Sequence, residues 1–139
     1  MKLEFSPLEK ALDQLRKSLD FLNSPMAKKD AALYAQFRGA SIQAFEYSYE
    51  LAIKMIRRQL AQIVSNPQDL AQSTFADLIR SAADAGLLRD VKNFLVYRDA
   101  RNRTNHTYEE DTAEDVVKVI PDFSKEASFL VEQLRKRHP

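Results

Sequence analysis

The chain has 139 residues, no cysteine, two histidines and a near balance of 21 basic against 20 acidic side chains. Its length suits one domain spanning 1–139 with a core that needs no staples; the missing thiols exclude disulfides, thiolate metal sites and cysteine nucleophiles, and two histidines fall short of a histidine metal cage, so no metal or cofactor is expected. The near-neutral balance sets up no whole-protein field toward nucleic acid or anionic membrane, so any such binding must be local.

The start, Lys2-Leu3-Glu4-Phe5-Ser6-Pro7, leads into a charged amphipathic stretch rather than an apolar run. This predicts neither a signal peptide nor a membrane span, and a cytoplasmic location. Only two glycines and five prolines occur, which favours an all-α class over a sheet. The first helix is expected at Ser6-Pro7-Leu8-Glu9, with Ser6 as cap, Pro7 at the first helical position and Glu9 completing a capping box. Leu8, Leu12, Leu15, Leu19 and Leu22 draw one apolar stripe along it, and Asn23-Ser24-Pro25 ends it.

A long second helix is predicted from about Lys28 to about Val64, burying Tyr34, Phe37, Ala44, Phe45, Leu51, Ala52 and Met55 and stopped by Asn66-Pro67. Gly39 reads as a close packing point within it. A third helix opens at Ser73 or Thr74 and carries Phe75, Leu78, Ile79 and Ala82 to Gly86, where a left-handed cap is wanted. The fourth starts near Leu87 with Leu88, Val91, Phe94 and Leu95 inward. The last, capped by Asp111 with Glu114 three residues on, turns Val116, Ile120, Phe123, Ala127, Leu130 and Leu134 to the core, and Pro121 should kink or split it. His138, beside the C-terminus, is expected to be disordered. With no repeat and no long linker, the architecture expected is an up-and-down bundle of four or five helices.

Between Tyr97 and Asp111 the apolar period lapses into Arg98, Arg101, Asn102, Arg103, Thr104, Asn105, His106 and Tyr108. A polar helix end before an acidic turn is a common solvated feature. The chemical alternative is that a histidine moves a proton near neutral pH while an arginine holds a phosphate by paired hydrogen bonds, a combination suited to phosphodiester cleavage without metal. At roughly 100 degrees per residue Arg101 and His106 point apart on an unbroken helix, whereas Arg98, Asn102 and His106 share a face. Joint action therefore requires the helix to end or bend between them, or two copies to meet. Arg98 and Arg103 could grip neighbouring phosphates, or simply pair with Asp99, Glu109 or Glu110. On the second helix Glu46, Glu50, Lys54 and Arg58 step by four along one face, which supports a solvated helix; Gln43 and Glu46 could instead aim Arg101 or Arg98.

The run Arg101-x4-His106-x-Tyr108 resembles the signature of the HEPN superfamily, in which an arginine, a polar residue and a histidine line the site of many RNases. Gln43-Ala44-Phe45-Glu46, Glu50-Leu51-Ala52-x-Lys54 and Tyr97-Arg98-Asp99-x-Arg101-Asn102 resemble one branch, the nucleotidyltransferase substrate-binding proteins. The resemblance implies a HEPN-like four-helix bundle, usually a homodimer, beside a separately encoded minimal nucleotidyltransferase. It also implies a toxin-type RNase using Arg101, Asn102 and His106, with Glu46 as an aiming residue and Tyr108 as the side chain to which the transferase attaches nucleotide. The same branch admits another role, a subunit that binds nucleotide or substrate and catalyses nothing.

Overall fold

The computed structural model describes residues 2–139, and every regular element in it is helical. Four long helices, α1 (Ser6–Leu22), α3 (Ala31–Ala61), α6 (Val91–Arg103) and α7 (Glu110–Arg137), are joined through short α2 (Pro25–Lys29), α4 (Pro67–Gln72) and α5 (Phe75–Asp84) and a 3-10 turn at Thr104–His106. Side-chain contacts set the directions. Glu9 of α1 meets Arg135 of α7 at 2.6 Å, and Arg16 meets Ser128 at 2.6 Å, so α1 and α7 run antiparallel. Arg89 before α6 reaches Glu126 and Arg103 at its end reaches Asp115, so α6 also opposes α7. Tyr34 and Arg38 meet Glu114 while Gln59 meets His138, which makes α3 parallel to α7. The order is therefore up, down, up, down, as an all-α bundle with short connections predicts.

The leucine stripe is buried at Leu8, Leu12, Leu15 and Leu22 and half-buried at Leu19. The predicted capping box does not form: Phe5 stands at the cap position, and the Ser6 amide donates to Glu4 instead. Glu9 is drawn into its pair with Arg135. The predicted second helix is two. Ser24 caps α2, and the Asp30 side chain then accepts from the Ala32 and Leu33 amides to start α3. Asn66-Pro67 opens α4 rather than stopping α3, which has already ended at Ala61. A methyl at Gly39 would touch nothing, so this glycine marks no close packing.

Thr74 caps α5, and Gly86 takes the left-handed conformation (φ 80°) that its lack of a Cβ permits. Leu87 and Leu88 are buried in the connection, not in the next helix, because Asp90 caps α6 at Lys92. Leu95 is 43% exposed, against expectation; Phe94, Tyr97 and Ala100 attach the helix. In α7 Glu109, not Asp111, is the cap residue, and Glu114 serves Tyr34 and Arg38. Pro121 leaves α7 unbroken. It lies on an exposed face, where the Val117 carbonyl that loses its amide partner can turn toward water.

Two buried polar contacts fasten the ends. The Glu126 carboxylate, 3% exposed, accepts from the Arg89 amide at 2.8 Å and from its guanidinium at 3.1 and 3.2 Å, so its charge is both paired and hydrogen-bonded. His138, far from disordered, is buried between both termini. The Leu3 amide donates to its Nδ1 at 3.1 Å, so Nδ1 carries no proton and Nε2–H donates to Gln59 Oε1 at 2.6 Å. His138→Ala orphans both partners and should lower stability by about 2 kcal/mol in urea denaturation. Pro121→Ala, which restores a helix donor, should raise it by about 1–3 kcal/mol.

Candidate functional site

The helix ends where the chemistry needs it to. Phe94, Tyr97, Ala100 and Thr104 step along one side of α6 and its end and are all buried; Arg101, four residues after Tyr97, lies on nearly the same side and is partly buried, whereas Arg98 and Asn102 are exposed. The Thr104 hydroxyl donates to the Arg101 carbonyl at 2.7 Å and accepts from the Arg101 guanidinium at 3.1 Å. This closes α6 at Arg103 and tightens Thr104–His106 into the 3-10 turn. Thr107 then donates to the Thr104 carbonyl and the Glu109 amide to the His106 carbonyl. The break between Arg101 and His106 that joint action requires is therefore present.

Arg101 is held from α3. Its guanidinium donates to Glu50 at 2.6 Å and lies 3.8 Å from Glu46, while remaining 24% exposed. Glu46 thus stands beside Arg101 as expected, but Glu50, assigned from sequence to the solvated face, makes the shorter bond. Their spacing of four was the available signal, since it puts both carboxylates on one stripe. Gln43 makes no hydrogen bond among the described residues. Arg103 pairs with Asp115 at 3.0 Å, which is ion pairing, though with none of the three acids named beforehand. Asp115 had no sequence signal, because its contact arises only once α7 folds back on α6.

His106 and Tyr108 are the outward groups. Tyr108 is 79% exposed, and its ring stands edge-on to the His106 imidazole with centroids 6.1 Å apart. Asn102 is exposed as well. No hydrogen bond joins Arg101 to His106 among the described residues; the first leans on α3 and the second stands in solvent. Arg98 lies over the ring of Phe75 of α5, its guanidinium carbon 4.5 Å from the ring centre. Beneath them Tyr49 is buried, and burial pushes its hydroxyl up to about 12, against the opposing pull of Arg98, Arg101 and Arg57. Tyr49 therefore stays neutral and serves the core. No three histidine or acidic side chains among the described residues gather as a metal cluster, and no described helix is long and apolar enough to cross a membrane.

Comparison with known proteins agrees with the fold. Residues 3–136 match the family described as nucleotidyltransferase substrate binding protein like. A Haemophilus influenzae protein named probable ribonuclease HepT is 39% identical over 96% of this chain and 88% of its own length. A solved Haemophilus influenzae structure, described as revealing the fold of a substrate binding domain of a nucleotidyltransferase, superposes with a TM-score of 0.90 at 35% identity, covering 95% of this chain and 99% of that one. A family match across nearly the whole sequence, with a close structural counterpart, places the chain in the nucleotidyltransferase substrate binding protein like family.

Proposed function

We propose that this chain is the helical partner of a separately encoded minimal nucleotidyltransferase and, when unmodified, a metal-independent endoribonuclease of toxin type that works as a cytoplasmic homodimer. The observation that carries this reading is the pairing of an anchored Arg101 with an exposed His106 and Tyr108 across a helix end. A guanidinium has five N–H donors; two point at Glu50 and Thr104, which leaves three without a hydrogen-bond partner, some of them available to a phosphate. Anchoring on one side pre-orients the other, so little ordering remains when charge grows on phosphorus.

In the reaction His106 accepts the proton of a ribose 2′-hydroxyl, the 2′-oxygen attacks phosphorus and the bond to the 5′-oxygen breaks. That oxygen takes a proton from water or from the second subunit's histidine. The products are a 2′,3′-cyclic phosphate and a 5′-hydroxyl. Asn102, exposed on the adjoining face, is available to a non-bridging oxygen, Arg98 to a neighbouring nucleotide. Arg103 holds the turn through Asp115.

Tyr108 supplies the control. Its exposure lets it enter another protein's active site, where its hydroxyl attacks the α-phosphorus of ATP and pyrophosphate leaves. The AMP it retains puts bulk and negative charge beside His106, where an RNA phosphate would otherwise sit.

A second reading has an observation of its own. Glu46 and Glu50 offset much of the Arg101 charge, which suits a subunit that binds nucleotide or a nucleotide-bearing substrate and leaves catalysis to the transferase.

Purified protein incubated with tRNA or mRNA should leave 2′,3′-cyclic ends, and His106→Ala should lower the rate by about 100-fold or more. Arg101→Ala should abolish cleavage while shifting stability by only about 1 kcal/mol, since the two carboxylates it leaves behind are both in part exposed to water. Intact RNA with retained transferase binding supports the non-catalytic subunit. Mixed with the transferase and ATP, the protein should gain AMP by intact-mass analysis, and Tyr108→Phe should remove that gain; persistence in the variant excludes Tyr108 as sole acceptor.

A further inference from the structure

Beyond Arg101 the site continues along the seam between α3 and α6. These helices are antiparallel, so Arg98, one turn before Arg101, stands at the level of the stretch of α3 that follows Glu50. Seven residues past Glu50, and so almost on the same face, stands Arg57, about 10 Å further along the axis. Neither Arg57 nor Arg98 has a carboxylate partner among the described residues, nor do Lys54 and Arg58 beside them on α3. Arg101 and Arg103, by contrast, are both paired. Arg57, two turns past Glu50 on α3, and Arg98, one turn before Arg101 on α6, therefore stand at neighbouring levels of one seam. Like charges left together without counter-ions are a standing attraction for an anion.

Arg98 adds a second kind of contact. Phe75 backs its guanidinium at 4.5 Å, which leaves the opposite planar face open on an exposed side chain. Such a plane takes an unstacked nucleobase, as aromatic rings and guanidinium groups do in single-strand binding.

We propose that Arg57 and Arg98 form a subsite for the nucleotide next to the scissile phosphate, Arg57 gripping its phosphate and the Phe75-backed face of Arg98 stacking its base, so that the substrate is single-stranded RNA laid across α6 toward α5. This rests on the reading of Arg101 as a phosphate-binding group. Base stacking on Arg98 requires a base already out of a duplex, which excludes helical RNA from this path.

The test is fluorescence anisotropy with a short single-stranded oligonucleotide whose 2′-O-methyl riboses prevent cleavage, titrated at several salt concentrations. Arg57→Gln should weaken binding about fivefold and lower the slope of log affinity against log salt by about 0.7, the value of one lost phosphate contact on a single strand. Arg98→Lys keeps the charge without the plane, so it should hold the slope while losing the wild-type preference for an intact over an abasic oligonucleotide. Wild-type affinity and slope in Arg57→Gln, or undiminished base preference in Arg98→Lys, would overturn the subsite, as would equal binding of duplex and single strand. If the wild type binds the blocked strand as described but leaves an unblocked one uncut, the ribonuclease reading fails and the subsite stands.

Discussion

Phe123 of α7 is the contact on which the arrangement turns. Its ring meets Phe45 and Tyr49 of α3 at 5.1 and 6.2 Å and Tyr97 of α6 at 5.5 Å, while Tyr97 also meets Phe94 at 5.2 Å. Most of these pairs are edge-to-face, the geometry in which positive ring edges meet negative faces. Three helices are therefore locked at one junction. The lock fixes the rotation of α6, a helix with only Phe94, Tyr97 and Ala100 buried along its length. Once those three face inward, Arg101, four residues past Tyr97 on nearly the same side, is brought against α3, while Arg98 and Asn102 are left exposed.

From that rotation follow both the restraint and the freedom of the polar run. Glu50 and Thr104 hold Arg101 in place on two sides, and Asp115 ties the following arginine to α7. The chain then turns tightly through Thr104–His106 and leaves His106 and Tyr108 projecting. An anchored cation next to accessible side chains suits the proposed site, in which one group holds an anion and another meets both substrate and a modifying enzyme. On the proposed reading, the partial neutralisation of Arg101 by two carboxylates would weaken its grip on any single phosphate and give additional contacts along the strand a purpose.

Much of this was legible in the residues. The leucine steps of α1, the Thr74 cap, the glycine at the end of α5 and the apolar steps of α7 each follow from spacing and local chemistry, and the lapse in periodicity after Tyr97 marked the polar run. What misled the sequence reading were local signals overruled by tertiary contacts. Glu9 and Glu114 look like capping-box partners but are claimed by arginines from other helices. Asp30 interrupts what pattern alone joins into one helix, because its side chain satisfies two amides at once. Pro121 is tolerated on a solvent-facing side. His138 is the penultimate residue, yet its ring is the hydrogen-bond bridge between both termini, a contact spanning 135 residues that no window of sequence displays. Glu50 was visible as a helix-face residue; its bond to Arg101 became visible only with the packing of α6.

The central claim is that the guanidinium of Arg101 and an imidazole of His106, from the same or a second copy, share one phosphate. A crystal structure with the 2′-O-methyl oligonucleotide bound tests it directly. The account predicts the blocked phosphate within hydrogen-bonding distance of Arg101 and the adjoining 2′-oxygen beside a His106 ring. A phosphate held by Arg101 with every His106 directed into solvent would contradict it.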